Sequence, residues 1–198
     1  MILFVMPSLH AYEKIISFNS DIVVHEDGHL NVHETIKIVL PKGRHGIFRD
    51  FPTIYRGPHY NDHIIDFDVE SISLNGGHVP YQVNDIDRGK RIKIGDAYNT
   101  LSGGTYTYEI FYTTSRQLGF FEKYDELYWN VTGNGWGMPI EIASARVTLP
   151  NGANIIHVGA YTGYRGDKGA RYESKIINAH TAFWQTKSSL RAQEGLTI

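Results

Sequence analysis

The chain has 198 residues, enough for one domain with a sizeable core, and with 41% hydrophobic and 20% charged residues it is globular and not disordered. A formal net charge of -2 leaves no broad basic field to hold phosphates, which argues against nucleic-acid binding. There is no cysteine, so disulfide frameworks, zinc-thiolate sites and cysteine nucleophiles are excluded.

Met1 to Ala11 is an apolar run that closes on a small residue before polar sequence. This is the pattern of the late part of a signal peptide, cut after Ala11. No Lys or Arg precedes the run, and Leu9 stands three positions before the cut, so a short N-terminal strand is the alternative. On the first reading the protein is exported and residues 12-198 form its mature domain. At the far end no hydrophobic stretch appears, and no run in the chain reaches the ~20 apolar residues of a membrane helix.

Period-two alternation dominates the rest. Ile22 and Val24 lie on one face of a strand. Leu30, Val32, Glu34, Ile36, Ile38 and Leu40 form one face of the next, with the carboxylate of Glu34 among the apolar residues. A three-residue loop, Glu26-Asp27-Gly28, pairs Val24 with Leu30 and Ile22 with Val32, with Gly28 in the left-handed position. A two-residue turn would instead set Val24 against Asn31, a poorer match.

Further hairpin signals follow along the chain. Asn75-Gly76-Gly77 separates Ile65-Leu74 from Val79-Val83, and Asp87-Arg88-Gly89 precedes Arg91-Ile94. Gly103-Gly104 opens Thr105-Thr114, and Leu127, Trp129 and Val131 alternate with polar partners. Ala143-Leu149, Ile155-Tyr161, Arg171-Ile176 and Ala182-Thr186 complete the expected strands. No long amphipathic helix or linker interrupts them. The expected fold is all-β, one antiparallel β-sandwich over residues 12-198, with a partly closed β-barrel as the alternative.

Three segments concentrate the chemistry: Arg44-Pro52, Arg116-Phe121 and Asp125-Trp136. Their Gly-Ile-Phe-Arg-Asp-Phe-Pro and Tyr-Trp-Asn-Val-Thr-Gly-Asn stretches resemble the N-terminal domain of the bacterial predicted membrane proteins called domain of unknown function 2207. The resemblance runs from about Tyr12 to Ile198. It implies an exported domain followed by membrane helices and a low-complexity tail. It implies no activity, so no catalytic residue is carried over.

Arg49 is expected to pair with Glu34, since a carboxylate facing a core needs a bonded cation and Arg offers a fixed fork of donors. The functional alternative has Arg49 and Asp50 reaching an anionic or polar ligand. Trp129 shares its face with Leu127 and Val131, so it belongs to the core. Trp136 sits among Gly133, Asn134, Gly135 and Gly137 in a loop. An exposed Trp136 beside Tyr128 and Asn134 would offer a stacking surface to a sugar or peptide. Asn130-Val131-Thr132 matches a glycosylation sequon, but its placement within a strand marks it as a chance match.

The ten His residues do not make a metal site. His25, His29 and His33 are spaced by four, as are His59 and His63, which on a strand separates neighbours by ~13 Å. His25 and His29 approach each other across the hairpin, without a third ligand. Asp125 and Glu126 point to opposite faces of a strand and form no acid-base pair. No nucleophile elbow, phosphate loop or zinc-protease motif is present, and no metal or cofactor is expected.

Three functions compete on these grounds. The first is a non-catalytic module outside the cytoplasmic membrane that contacts a protein partner or its own membrane region. The second binds carbohydrate or an envelope polysaccharide through Tyr128, Asn134 and Trp136. The third is a hydrolase with a site assembled from distant residues.

Overall fold

In the computed structural model the described residues are 13-56 and 61-198. The signal-like run and His59 lie outside them. β1 (Lys14–Val24) and β2 (Leu30–Leu40) form the first hairpin, pairing Val24 with Leu30 and Ile22 with Val32. His25 N donates to His29 O at 2.9 Å, and Gly28 takes φ of 83°, as the three-residue loop requires. A bulge between Ile15 and Ser17 switches the alternation in β1, so Ile15 and Phe18 both face inward.

β3 (Gly46–Pro52), β4 (Ile54–Arg56) and β5 (Asp62–Ile64) follow, then β6 (Phe67–Leu74), β7 (Gly77–His78), β8 (Tyr81–Ile86) and β9 (Gly89–Gly95). β10 (Gly104–Thr114) precedes a two-stranded ribbon of β11 (Leu118–Phe120) and β12 (Asp125–Leu127). The last third holds β13 (Ile140–Thr148), β14 (Tyr161–Gly163), β15 (Tyr172–Asn178), β16 (Thr181–Thr186) and β17 (Gly195–Thr197).

Eight strands form the main sheet, in the order β15-β16-β13-β1-β2-β10-β6-β7. Its inner face carries Phe18, Ile22, Val32, Ile36, Ile38, Tyr108, Ile110 and Tyr112, all buried. The sheet of β3, β9 and β8 covers one half of that face with Ile47, Phe51, Ile92 and Ile94. The segment Trp129–Trp136, the β14-β17 pair and Leu190 cover the other half. The result is an all-β sandwich without barrel closure.

Three sequence expectations need correction. The main sheet is mixed, because β1 pairs in parallel with β13. More than a hundred residues separate the two, and local alternation carries no information about such a partner. Residues 155-160 form no strand. Their one ladder-like bond is Ile155 N to Ala179 O at 2.8 Å, and the strand begins only at Tyr161. The run through Leu127, Trp129 and Val131 leaves its ribbon at Leu127. Its alternation persists because Trp129 and Val131 bond instead to Ile198 and Leu196.

Candidate functional site

Glu34 projects from the middle of β2 into the sandwich and is fully buried. Arg49, on the facing strand β3, meets it side-on. Its Nε donates to Glu34 Oε2 at 2.8 Å and its Nη2 to Oε1 at 2.7 Å. Nη2 also donates to Val131 O at 3.2 Å, and Nη1 to Asp50 O at 3.1 Å. Tyr112, on β10, adds a third donor to the carboxylate, Oη to Oε1 at 3.0 Å. The guanidinium lies 4.3 Å from the Phe51 ring centre and 5.3 Å from that of Phe18.

Burial works against the charge on Arg49, but the Glu34 carboxylate outweighs it and holds the guanidinium above its ordinary value. Burial, then the same carboxylate, pushes the Tyr112 hydroxyl well above its ordinary value, so it stays protonated and donates. Every oxygen of Glu34 is therefore bonded, which is what a buried carboxylate needs. The network ties β2, β10, β3 and the Val131 segment together.

Two of the three marked segments, Arg44-Pro52 and Asp125-Trp136, converge on this network. Gly133 explains how closely they approach. Its φ is 71°, and a side chain there would begin 2.7 Å from Arg49 Nη1. Asp50, next along β3, points the other way. It accepts two 2.7 Å bonds from the Arg91 guanidinium, at a pair that is partly open to water. That bonding, with the Asp50 charge, holds Arg91 above its ordinary value.

The expectation of an exposed Trp136 is corrected. The residue is only 6% exposed, its Nε1 donates to Thr132 O at 2.9 Å, and its ring packs edge-on against Phe18. Its glycine-rich surroundings read as a loop, but that loop folds down onto the sheet face left uncovered by β3. Asn134 is also committed. It accepts from Asn130 Nδ2 at 3.0 Å and donates to Gln193 O at 3.1 Å and Gly163 O at 3.3 Å. Of the residues that would hold a sugar, Tyr128 alone stands free, at 62% exposure.

Arg49, Asp50 and Tyr128 line one cleft, shared with Tyr55, Gln117 and Trp129. Its volume is about 40 Å³, room for a water or two, whereas small-molecule pockets start at roughly 300 Å³. A wider depression of about 610 Å³ lies between the β1-β2 turn and Leu149–Asn151, shallow and open to solvent. Among the described residues, no three His, Asp or Glu side chains are grouped to hold a metal ion. His29 turns to Asp27, at 3.1 Å, and His63 meets the backbone of Arg116. Asp125 and Glu126 are exposed, on opposite faces of β12.

Sequence reasoning missed two features. Tyr112 completes the Glu34 network, but its position follows from the β2-β10 register, which pairs it with Val32 across 80 residues. The second is the exposed tip of the β11-β12 ribbon, where Phe120, Phe121 and Tyr124 stand 74%, 52% and 48% exposed. The sequence marks Arg116-Phe121 and is dense in aromatics over residues 118-124, but nothing local shows that these rings stand in solvent.

Comparison with known proteins adds a family and a fold. The family model described as the N-terminal domain of a predicted membrane protein, DUF2207, matches residues 14–198. An uncharacterized protein of Escherichia coli K12, YciQ, is 28% identical over 164 residues, covering 79% of this chain. The chain spans about a quarter of that relative's length, 26%. Among solved structures, leukotriene A4 hydrolase from Saccharomyces cerevisiae superposes with TM-score 0.55 at 11% identity, covering 96% of this chain and 29% of that one. The M1 zinc metallopeptidase from Deinococcus radiodurans gives TM-score 0.54 at 15% identity, over 94% and 42%. At these identities the likeness is one of fold alone.

Proposed function

The chain belongs to the family of DUF2207 N-terminal domains, from predicted membrane proteins, and from that premise we propose that it is an extracytoplasmic, non-catalytic interaction module. In this reading it is held at the membrane by the rest of its protein and contacts either a protein partner or its own membrane region. The observation that carries the reading is how the two converging segments and the strands they pack on use their polar groups. Glu34, Arg49, Tyr112 and Asn134 are spent on internal bonds, and what remains outside is the aromatic rim of a cleft of about 40 Å³. A rim of Tyr128 and Tyr55 over a closed floor suits contact with a surface better than capture of a small molecule.

A photo-reactive amino acid at Tyr128, in the membrane-embedded full-length protein, tests this. The expected result is a cross-link to a protein partner or to the protein's own membrane region. The same reagent at Tyr98, 96% exposed and beyond the opposite ends of β2 and β10, serves as the reference. Cross-linking at Tyr98 with none at Tyr128 would overturn the site. Reaction with a membrane-impermeant protein label on intact cells reports the side; labelling only after lysis would overturn the extracytoplasmic placement.

A further inference from the structure

Residues 120-126 form a run of seven exposed positions at the tip of the β11-β12 ribbon. Among the described residues those two strands pair only with each other. The base of the ribbon is anchored, since Leu118 and Leu127 face each other and pack on the core. The tip is ordered by its own contacts. Phe121 N donates to Tyr124 O at 3.0 Å, and the two rings lie 5.1 Å apart. The Phe121 ring lies over Gly119, within 3.0 Å of where a side chain would begin. Phe121 therefore shares the Gly119 face, and Phe120 points to the opposite one.

We infer that this tip is a bilayer contact: Phe120, Phe121 and Tyr124 enter the interfacial region of a membrane with zwitterionic, ammonium-bearing headgroups. The inference rests on the membrane-anchored reading above. Three observations carry it. First, the tip carries an aromatic ring on each face, Phe121 on one and Phe120 on the other, with charged residues around them. A protein groove buries one face of a ribbon, whereas the headgroup region surrounds it, and Phe and Tyr both suit that boundary.

Second, the backbone leads toward it. Val131 N bonds Leu196 O, then Trp129 N bonds Ile198 O, so the chain approaching Ile198 runs antiparallel to this segment and heads for Leu127, the foot of the ribbon. The family is one of predicted membrane proteins, so on the membrane-anchored reading a bilayer lies within reach of this domain.

Third, the charges select the headgroup. Glu122, Asp125 and Glu126 outnumber Lys123 at the tip. Carboxylates pair with the ammonium of phosphatidylethanolamine and are repelled by anionic lipid.

The chain has no cysteine, so one introduced thiol carries an environment-sensitive dye without background. F120C and Y98C are labelled, and each 198-residue protein is tethered by a C-terminal His tag to vesicles of phosphatidylcholine and phosphatidylethanolamine with a trace of nickel-chelating lipid. Tethering keeps the local concentration high, so a weak contact still registers. The dye at position 120 should shift to the blue and brighten severalfold, while the dye at 98 stays water-like. Raising the anionic phosphatidylglycerol fraction should reverse the shift. Replacing Phe121 and Tyr124 with Ser should lower the inserted fraction about tenfold or more. These positions are exposed, and unchanged thermal unfolding verifies that the variants fold. A water-like dye at position 120, or a shift that survives the two Ser substitutions, overturns the inference. If that happens while Tyr128 cross-links to protein, lipid contact fails and the interaction module stands.

Discussion

Arg49 and Asp50 are neighbours on β3, each in a bidentate pair with an opposite charge, yet the two pairs do different work. Arg49 and Glu34 are 4% and 0% exposed, and Tyr112 and Val131 supply further bonds. Asp50 and Arg91 are 34% and 43% exposed at equal bond lengths of 2.7 Å. Water screens the second pair and re-solvates either partner when the other is lost. The first pair has no such recourse. Identical chemistry one residue apart is therefore a structural staple on one face of the strand and a surface detail on the other.

Substitutions sharpen this contrast. R49M strands the Glu34 carboxylate in the core and should cost about 3–5 kcal/mol in denaturant unfolding. Adding E34M should recover most of that loss. A loss below about 1 kcal/mol for R49M alone would end the staple reading. Y112F removes one donor to the same carboxylate and should cost about 1.5–3 kcal/mol, with the ion pair kept.

Arg171 and Glu194 form an intermediate pair, 40% and 8% exposed, with the Arg191 backbone N–H also donating to Glu194. Burial raises the Glu194 carboxyl, but these donors outweigh it and hold it below its ordinary 4.5. A depressed carboxyl stabilises the fold fully above its unfolded value and loses that contribution as pH falls through the folded one. E194Q should cost about 1 kcal/mol at pH 7 and less at pH 3, measured as urea midpoints at both. D50N stands last, with an expected cost under about 0.5 kcal/mol that vanishes in high salt.

What could be read from the residues alone follows the same inside-outside logic. The β1-β2 register was legible because two apolar sets must share a face and one loop length allows it. The pairing of Glu34 with Arg49 followed from a charge on a buried face, although nothing local placed Arg49 opposite. Trp136 misled because glycine-rich neighbours signal a loop, and a loop's composition does not reveal whether it lies on a sheet or in water. Residues 155-160 misled because their apolar pattern packs without a ladder partner.

By itself the sequence determined the all-β class, most of the strands and their inward faces, since alternation and turn chemistry act within a few residues. It also determined that a cation had to meet Glu34, because a bare carboxylate in a core is too costly. Only the tertiary structure decided the parallel β1-β13 pair, the arrival of Tyr112, the burial of Trp136 and the exposure of the β11-β12 tip. Each of these depends on which distant segment comes to lie alongside, and that choice is settled by how whole faces fit together.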